Sequence, residues 1–145
     1  MELSFEFFPP RNNKEYKNLE ETYKVLSKYE PTFVSFTDGA GASKNRDIIK
    51  SVKILRKYSE TEVVAHITSC DKEKIDVDVI IDEYQKNDIT SFLVIRGDCP
   101  TNEFLIDPDE IDFSGENEFR HASDLIEYLK SKGINNIGFG AFPTG

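Results

Sequence analysis

Short β-rich runs recur along this chain, alternating with longer stretches whose apolar positions return every three or four residues. Leu3 to Phe7 reads as a first strand, in which Leu3, Phe5 and Phe7 alternate with Ser4, Glu6 and Phe8. Pro9 and Pro10 close it, because proline cannot donate to a ladder. Tyr16 to Tyr29 carries Leu19, Tyr23 and Leu26 at helical spacing, and Pro31 breaks the helix. Thr32 to Thr37 is a second strand that runs into Asp38-Gly39-Ala40-Gly41. Arg46 to Tyr58 predicts a second helix on the stripe Ile48, Ile49, Val52 and Leu55. Glu62 to Ile67 is a third strand. Asp71 is placed to cap a third helix that presents Ile75, Val79, Ile80 and Tyr84. Ser91 to Ile95 is a fourth strand, and an acidic loop follows from about Gly97 to Glu118. A fourth helix near Phe119 to Lys132 stops at Gly133, and Asn136 to Phe142 is a fifth strand.

Strict alternation of this kind implies parallel strands joined by helical crossovers, hence a barrel or an open doubly wound sheet. A complete eight-stranded barrel takes about 250 residues. The expected class is therefore α/β, an incomplete parallel (β/α) barrel with five strands and four helices, spanning residues 1–145 as one domain.

Composition narrows the function classes. With 38% hydrophobic and 31% charged residues the chain reads as globular, and a net charge of −9 argues against a phosphate-binding surface and so against nucleic acid. It has no apolar run long enough to span a bilayer and no signal-peptide pattern at its start, so a cytoplasmic protein without membrane contact is expected. The two cysteines, Cys70 and Cys99, lack metal-type spacing. Reduced thiols are expected, and no metal site.

Ligands of parallel α/β folds bind at the carboxyl ends of the strands. Those ends carry Glu6 with Phe7-Phe8-Pro9-Pro10-Arg11, then Thr37 and Asp38, His66 and Thr68, Arg96-Gly97-Asp98, and finally Phe142-Pro143-Thr144. Each has a plain structural alternative. Glu6 could be a solvated carboxylate, but it shares a strand face with Ser4 and Phe8. If that face points into a barrel, desolvation favours a proton donor there. His66 could be a satisfied core histidine. Arg96 and Asp98 could form a structural ion pair, although Gly97 between them permits close backbone approach to a ligand. Phe7-Phe8 could be core or a stacking wall, and Asp38-Gly39-Ala40-Gly41 fits neither a dinucleotide fingerprint nor a phosphate loop.

The residues themselves carry a resemblance. Phe5-Glu6-Phe7-Phe8-Pro9-Pro10-Arg11 closely resembles the FEFFPPR opening of methylenetetrahydrofolate reductases. Five further segments resemble that family in the same order: Phe33 to Ala40, Ala65 to Thr68, Ile95 to Pro100, Ala122 to Leu125 and Gly140 to Pro143. The resemblance implies a (β/α)8 barrel that holds FAD at its carboxyl face. NAD(P)H would be the electron donor, and 5,10-methylenetetrahydrofolate would be reduced to 5-methyltetrahydrofolate for methionine supply. It implies Glu6 as general acid and Asp98 as the charge beside flavin and pterin. It also implies flavin contacts at Thr37, Asp38, Ala40, His66, Ile95, Arg96, Gly97, Asp98, His121, Ala122 and Phe142.

There are departures. Asp38 and His121 stand where the family has tyrosines, and Thr144-Gly145 replace the start of its next motif. Two readings therefore stay open: part of a working reductase, or a catalytically inactive flavin- or folate-binding fragment that associates with a partner or with itself. A homo-oligomer or an electron-donor partner protein is compatible with either.

Overall fold

The computed structural model describes residues 2–38, 44–70, 72–97, 119 and 121–140, the side chains of 44–46 excepted. In chain order they form β1 (Ser4–Phe7), α1 (Asn13–Leu26) with a 3-10 turn (Ser27–Tyr29), β2 (Phe33–Phe36), α2 (Lys44–Leu55), β3 (Glu62–Thr68), α3 (Lys74–Gln85), β4 (Ser91–Ile95), α4 (Ala122–Ser131) and β5 (Ile137–Phe139).

The five strands make one sheet in the order β1-β2-β3-β4-β5, and every neighbouring pair is parallel. Sequential order without reversal settles the choice that alternation left open. A doubly wound sheet reverses its strand order at a switch point; this sheet winds one way, as a barrel wall does. Register pairs Glu6 with Ser35, and His66 with Leu93.

The helices cover one face. Val34, Phe36, Val63, Ala65, Ile67, Phe92 and Val94 pack there against Leu19, Tyr23, Ile48, Val52, Leu55, Val77, Ile81, Tyr84, Leu125 and Leu129 in a single core cluster. Phe7 joins that core, with its ring centroid 5.8 Å from Phe36 and 6.2 Å from Tyr23. Phe8 is turned the other way and is 81% exposed. The side chains that alternate with the core set lie on the face the helices leave open. They are largely polar: Ser4 and Glu6, Ser35, Glu62 and His66, and Ser91. At the amino end of this face the Glu62 carboxylate accepts from Ser91 Oγ and, at 2.9 Å, from Asn136 Nδ2.

Element ends are set by caps more than by apolar spacing. α1 starts at Asn13 rather than Tyr16, because the Asn12 side chain accepts from Glu15 N at 3.0 Å while Arg11 N donates to Glu15 Oε2 at 2.7 Å. Glu30, at φ 51°, then turns the chain before Pro31. The cap of α3 is Glu73 rather than Asp71, and Glu73 N donates to Asp76 Oδ2 at 3.1 Å. α4 begins at Ala122 rather than near Phe119. The Phe119 side chain is buried and lies 5.5 Å from the ring of Tyr128. Gly133 ends the last helix at φ 82°, as expected.

Candidate active site

Parallel pairing sets the carboxyl ends of β1 to β4 side by side, so residues far apart in sequence meet there. Glu6 projects from β1 onto the open face. Its Oε2 accepts from Ser35 Oγ of β2 at 3.3 Å and lies 3.3 Å from His66 Nε2 of β3. The Glu6 side chain is 55% exposed, whereas His66 is 94% removed from solvent, at 6%. The open face is as expected; the enclosure expected to desolvate Glu6 is not present among the described residues. His66 Nε2 has no formed hydrogen bond. Its approach to Glu6 is a close contact without hydrogen-bond alignment. Burial pushes the imidazole pKa below the ordinary value, and the carboxylates of Glu6 and Asp38 pull it partly back.

A second group ties the strand ends together. The Asp38 carboxylate, only 8% exposed, accepts from Thr68 N at 3.0 Å, from Thr68 Oγ1 at 2.9 Å and from Lys72 Nζ at 3.1 Å. Lys72 also donates to Thr68 Oγ1. Thr68 in turn abuts Gly97, which takes φ +79°; a Cβ there would lie 2.7 Å from Thr68 Cγ2. Thr37 N donates to Phe7 O at 3.0 Å, Ser69 N to Ile95 O at 3.0 Å and Cys70 N to Arg96 O at 3.0 Å. Backbone bonds thus extend the ladder beyond the strands proper.

Of the residues singled out from sequence, Glu6, Thr37, Asp38, His66, Ile95, Arg96 and Gly97 fall on this one edge. His121 and Ala122 sit at the start of α4, where His121 N donates to Asp124 Oδ2 at 2.8 Å. Among the described residues no hydrogen bond or ion pair joins them to Glu6 or His66. Asp98, Ala40 and Phe142 lie outside the described residues. Sequence reasoning passed over Ser35 and Lys72. Ser35 left a trace, a hydroxyl inside the apolar run Phe33-Val34-Ser35-Phe36, but Lys72 sits in a polar stretch with nothing to mark it.

One expectation is overturned: Cys70 is disulfide-bonded, to a partner outside the described residues. Spacing could not reveal this, because a disulfide requires proximity in the fold and not in the sequence. Among the described residues there is no cluster suited to a metal ion, and no helix long and apolar enough to cross a membrane.

Fold and site together define a barrel-type α/β protein with a carboxylate, an imidazole and a glycine-lined loop at the carboxyl ends of its strands. The family model for methylenetetrahydrofolate reductase matches residues 1–145, so the chain belongs to that family. It is 30% identical over 141 residues to the 5,10-methylenetetrahydrofolate reductases of Salmonella typhimurium and Escherichia coli, covering 97% of this chain and 44% of each of those proteins. Methylenetetrahydrofolate reductase 2 of Schizosaccharomyces pombe is 31% identical over 146 residues, 98% of this chain and 22% of that protein. Methylenetetrahydrofolate reductase (NADH) 1 of Arabidopsis thaliana is 30% identical over 130 residues. The chain thus spans less than half the length of these curated relatives.

Proposed function

We propose that this chain forms part of the catalytic barrel of an FAD-dependent reductase that converts 5,10-methylenetetrahydrofolate to 5-methyltetrahydrofolate, with NAD(P)H as electron donor. The observation that carries the reading is the Glu6 carboxylate, half exposed at the carboxyl edge and backed by Ser35 and His66. Reduction of the methylene bridge requires the folate's five-membered ring to open. The departing nitrogen must gain a proton, which exposes an electrophilic iminium. In this reading Glu6 gives that proton.

The residues present fit a flavin. Gly97, at φ +79° and packed on Thr68, brings backbone without a side chain to the strand edge, beside Thr37, Asp38 and Arg96. Thr37, Asp38, His66, Ile95, Arg96 and Gly97 would hold the group, with Ala40, Asp98, His121, Ala122 and Phe142 as further contacts implied by family resemblance. A bound flavin supplies the hydride; the protein orients it and sets the local charge. Asp98 is proposed as the charge beside flavin and pterin. The NADH in the name of the Arabidopsis relative supports a nicotinamide donor. Because β1 and β5 each keep one unpaired sheet edge among the described residues, we assign turnover to a barrel closed by further strands, and residues 1–145 to its first part.

The test is Glu6→Gln in the flavin-loaded protein. Folate reduction should fall at least ~100-fold, the usual share of a general acid, while flavin reduction by the nicotinamide survives. Folate reduction at the unsubstituted rate would overturn the assignment, and so would loss of both half-reactions with flavin still bound.

A further inference from the structure

We propose that Glu6 and His66 form a proton-sharing dyad, in which Ser35 fixes the carboxylate and His66 returns the proton that Glu6 gives up. The inference rests on the reading of Glu6 as the acid and deepens it. Three observations carry it. His66 Nε2 is buried without a hydrogen bond, a costly state for a ring nitrogen unless the site uses it. The polar atom facing it is Glu6 Oε2 at 3.3 Å, the same oxygen that Ser35 Oγ reaches at 3.3 Å. Oε1 makes no hydrogen bond to any described residue, and the side chain is 55% exposed. One carboxylate oxygen is thus held against the sheet and the other faces the open side. Catalytic hydrogen bonds are commonly misaligned before substrate binds and tighten afterwards.

The proton count closes. Glu6, as the carboxylic acid, loses its proton to the departing nitrogen and becomes a carboxylate. His66 takes a proton from a solvent hydronium, which is left as water, and passes it from Nε2 to Oε2, so an N–H bond breaks as an O–H bond forms and neutral imidazole is restored. The charged groups around His66 suit this cycle. Glu6 faces it from β1 and Asp38 from beyond β2, the latter already paired with Lys72; β4 places uncharged Leu93 in register. Burial disfavours a standing imidazolium.

His66 is then a positioning and proton-returning residue, and its titration is the readout. The chain has two histidines, so ¹⁵N-histidine NMR of the full chain resolves them, with His66 assigned by the signal lost in His66→Gln. Glu6→Gln should lower the His66 midpoint, because the carboxylate that attracts its proton is gone. Glu6→Asp, which keeps the charge one methylene further back, should lower it less and serves if the Gln variant does not fold. An unchanged His66 midpoint in both variants overturns the dyad. The titration needs neither folate nor flavin, so the two ideas can fail separately. A moved midpoint with undiminished folate reduction in Glu6→Gln would keep the shared proton and remove the acid role. An unmoved midpoint with lost folate reduction would do the opposite.

Discussion

Gly97→Ala tests whether the strand-end network is packed as tightly as it is drawn. Two costs add. The backbone at Gly97 has φ +79°, where a side chain costs about 1–2 kcal/mol. The new Cβ would also lie 2.7 Å from Thr68 Cγ2 and 2.8 Å from Thr68 Cβ, and overpacking of that kind costs about 1–3 kcal/mol. Thr68 cannot swing away freely, since its hydroxyl and its backbone N–H are both bound to Asp38. The sum, roughly 2–5 kcal/mol, is a large share of the 5–15 kcal/mol by which domains are stable. At about 2–4 °C per kcal/mol for a chain of this size, Tm should fall by roughly 10 °C. Gly133→Ala supplies the control. Gly133 has φ +82° but nothing within 4 Å of a Cβ, so it should show the backbone cost alone. Thr68→Ser removes Cγ2 and keeps Oγ1, so in that background Gly97→Ala should regain part of the loss. Urea denaturation of the five proteins, the parent, the three single variants and the double variant, measures all of this. Equal losses at Gly97 and Gly133, with no recovery in the Ser background, would refute the contact.

Three further outcomes are expected. Asp38→Asn should cost about 2–3 kcal/mol in urea melts, because it leaves mostly buried Lys72 without its counter-charge, and a loss below about 0.5 kcal/mol would count against the network. His66 contributes a pH dependence of known sign. Its folded pKa lies below the ordinary 6.5, so below that pH the unfolded chain binds more protons, and the stability present above 6.5 is lost as pH falls towards the folded value. His66→Gln should flatten that limb of the stability curve, and an identical slope in both proteins would rule the contribution out. Thiol titration of the denatured chain without reductant should find no free thiol at Cys70, and two after reduction; two free thiols beforehand would refute the disulfide.

The fold was legible because its signals are local. Alternation in Leu3–Phe7, the short apolar run in Ser91–Ile95, and the stripe through Ile48, Val52 and Leu55 each report one element. Element ends were less legible, since they are fixed by single hydrogen bonds. Asn12 with Glu15 moves α1 back to Asn13, and Glu73 with Asp76 takes the α3 cap from Asp71; apolar periodicity carries neither fact. The choice between a barrel wall and a doubly wound sheet was legible only through the family resemblance, not from the pattern of elements. It depends on which strand pairs with which, a relation between distant segments that alternation alone leaves free.

The same distinction governs the site. Glu6 and His66 stood out because a carboxylate and an imidazole at strand ends are chemically conspicuous, and family resemblance gave them roles. What resemblance could not supply is how this chain holds them. Ser35 matters because register sets it directly beside Glu6, and Lys72 matters because Asp38 stands where the family has a tyrosine. A carboxylate in a mostly buried position needs a cation, and Lys72 provides it from beyond the end of the next strand. The acid at position 38 is therefore tied to the base that neutralises it. That pairing joins the segment after β2 to the segment after β3 with charge, through Thr68, which also packs against Gly97 just beyond β4. This edge is built here from an ion pair, and replacing Asp38 by tyrosine alone would leave Lys72 a mostly buried ammonium without its counter-charge, so the double replacement of Asp38 and Lys72 should cost less than the single one in urea melts.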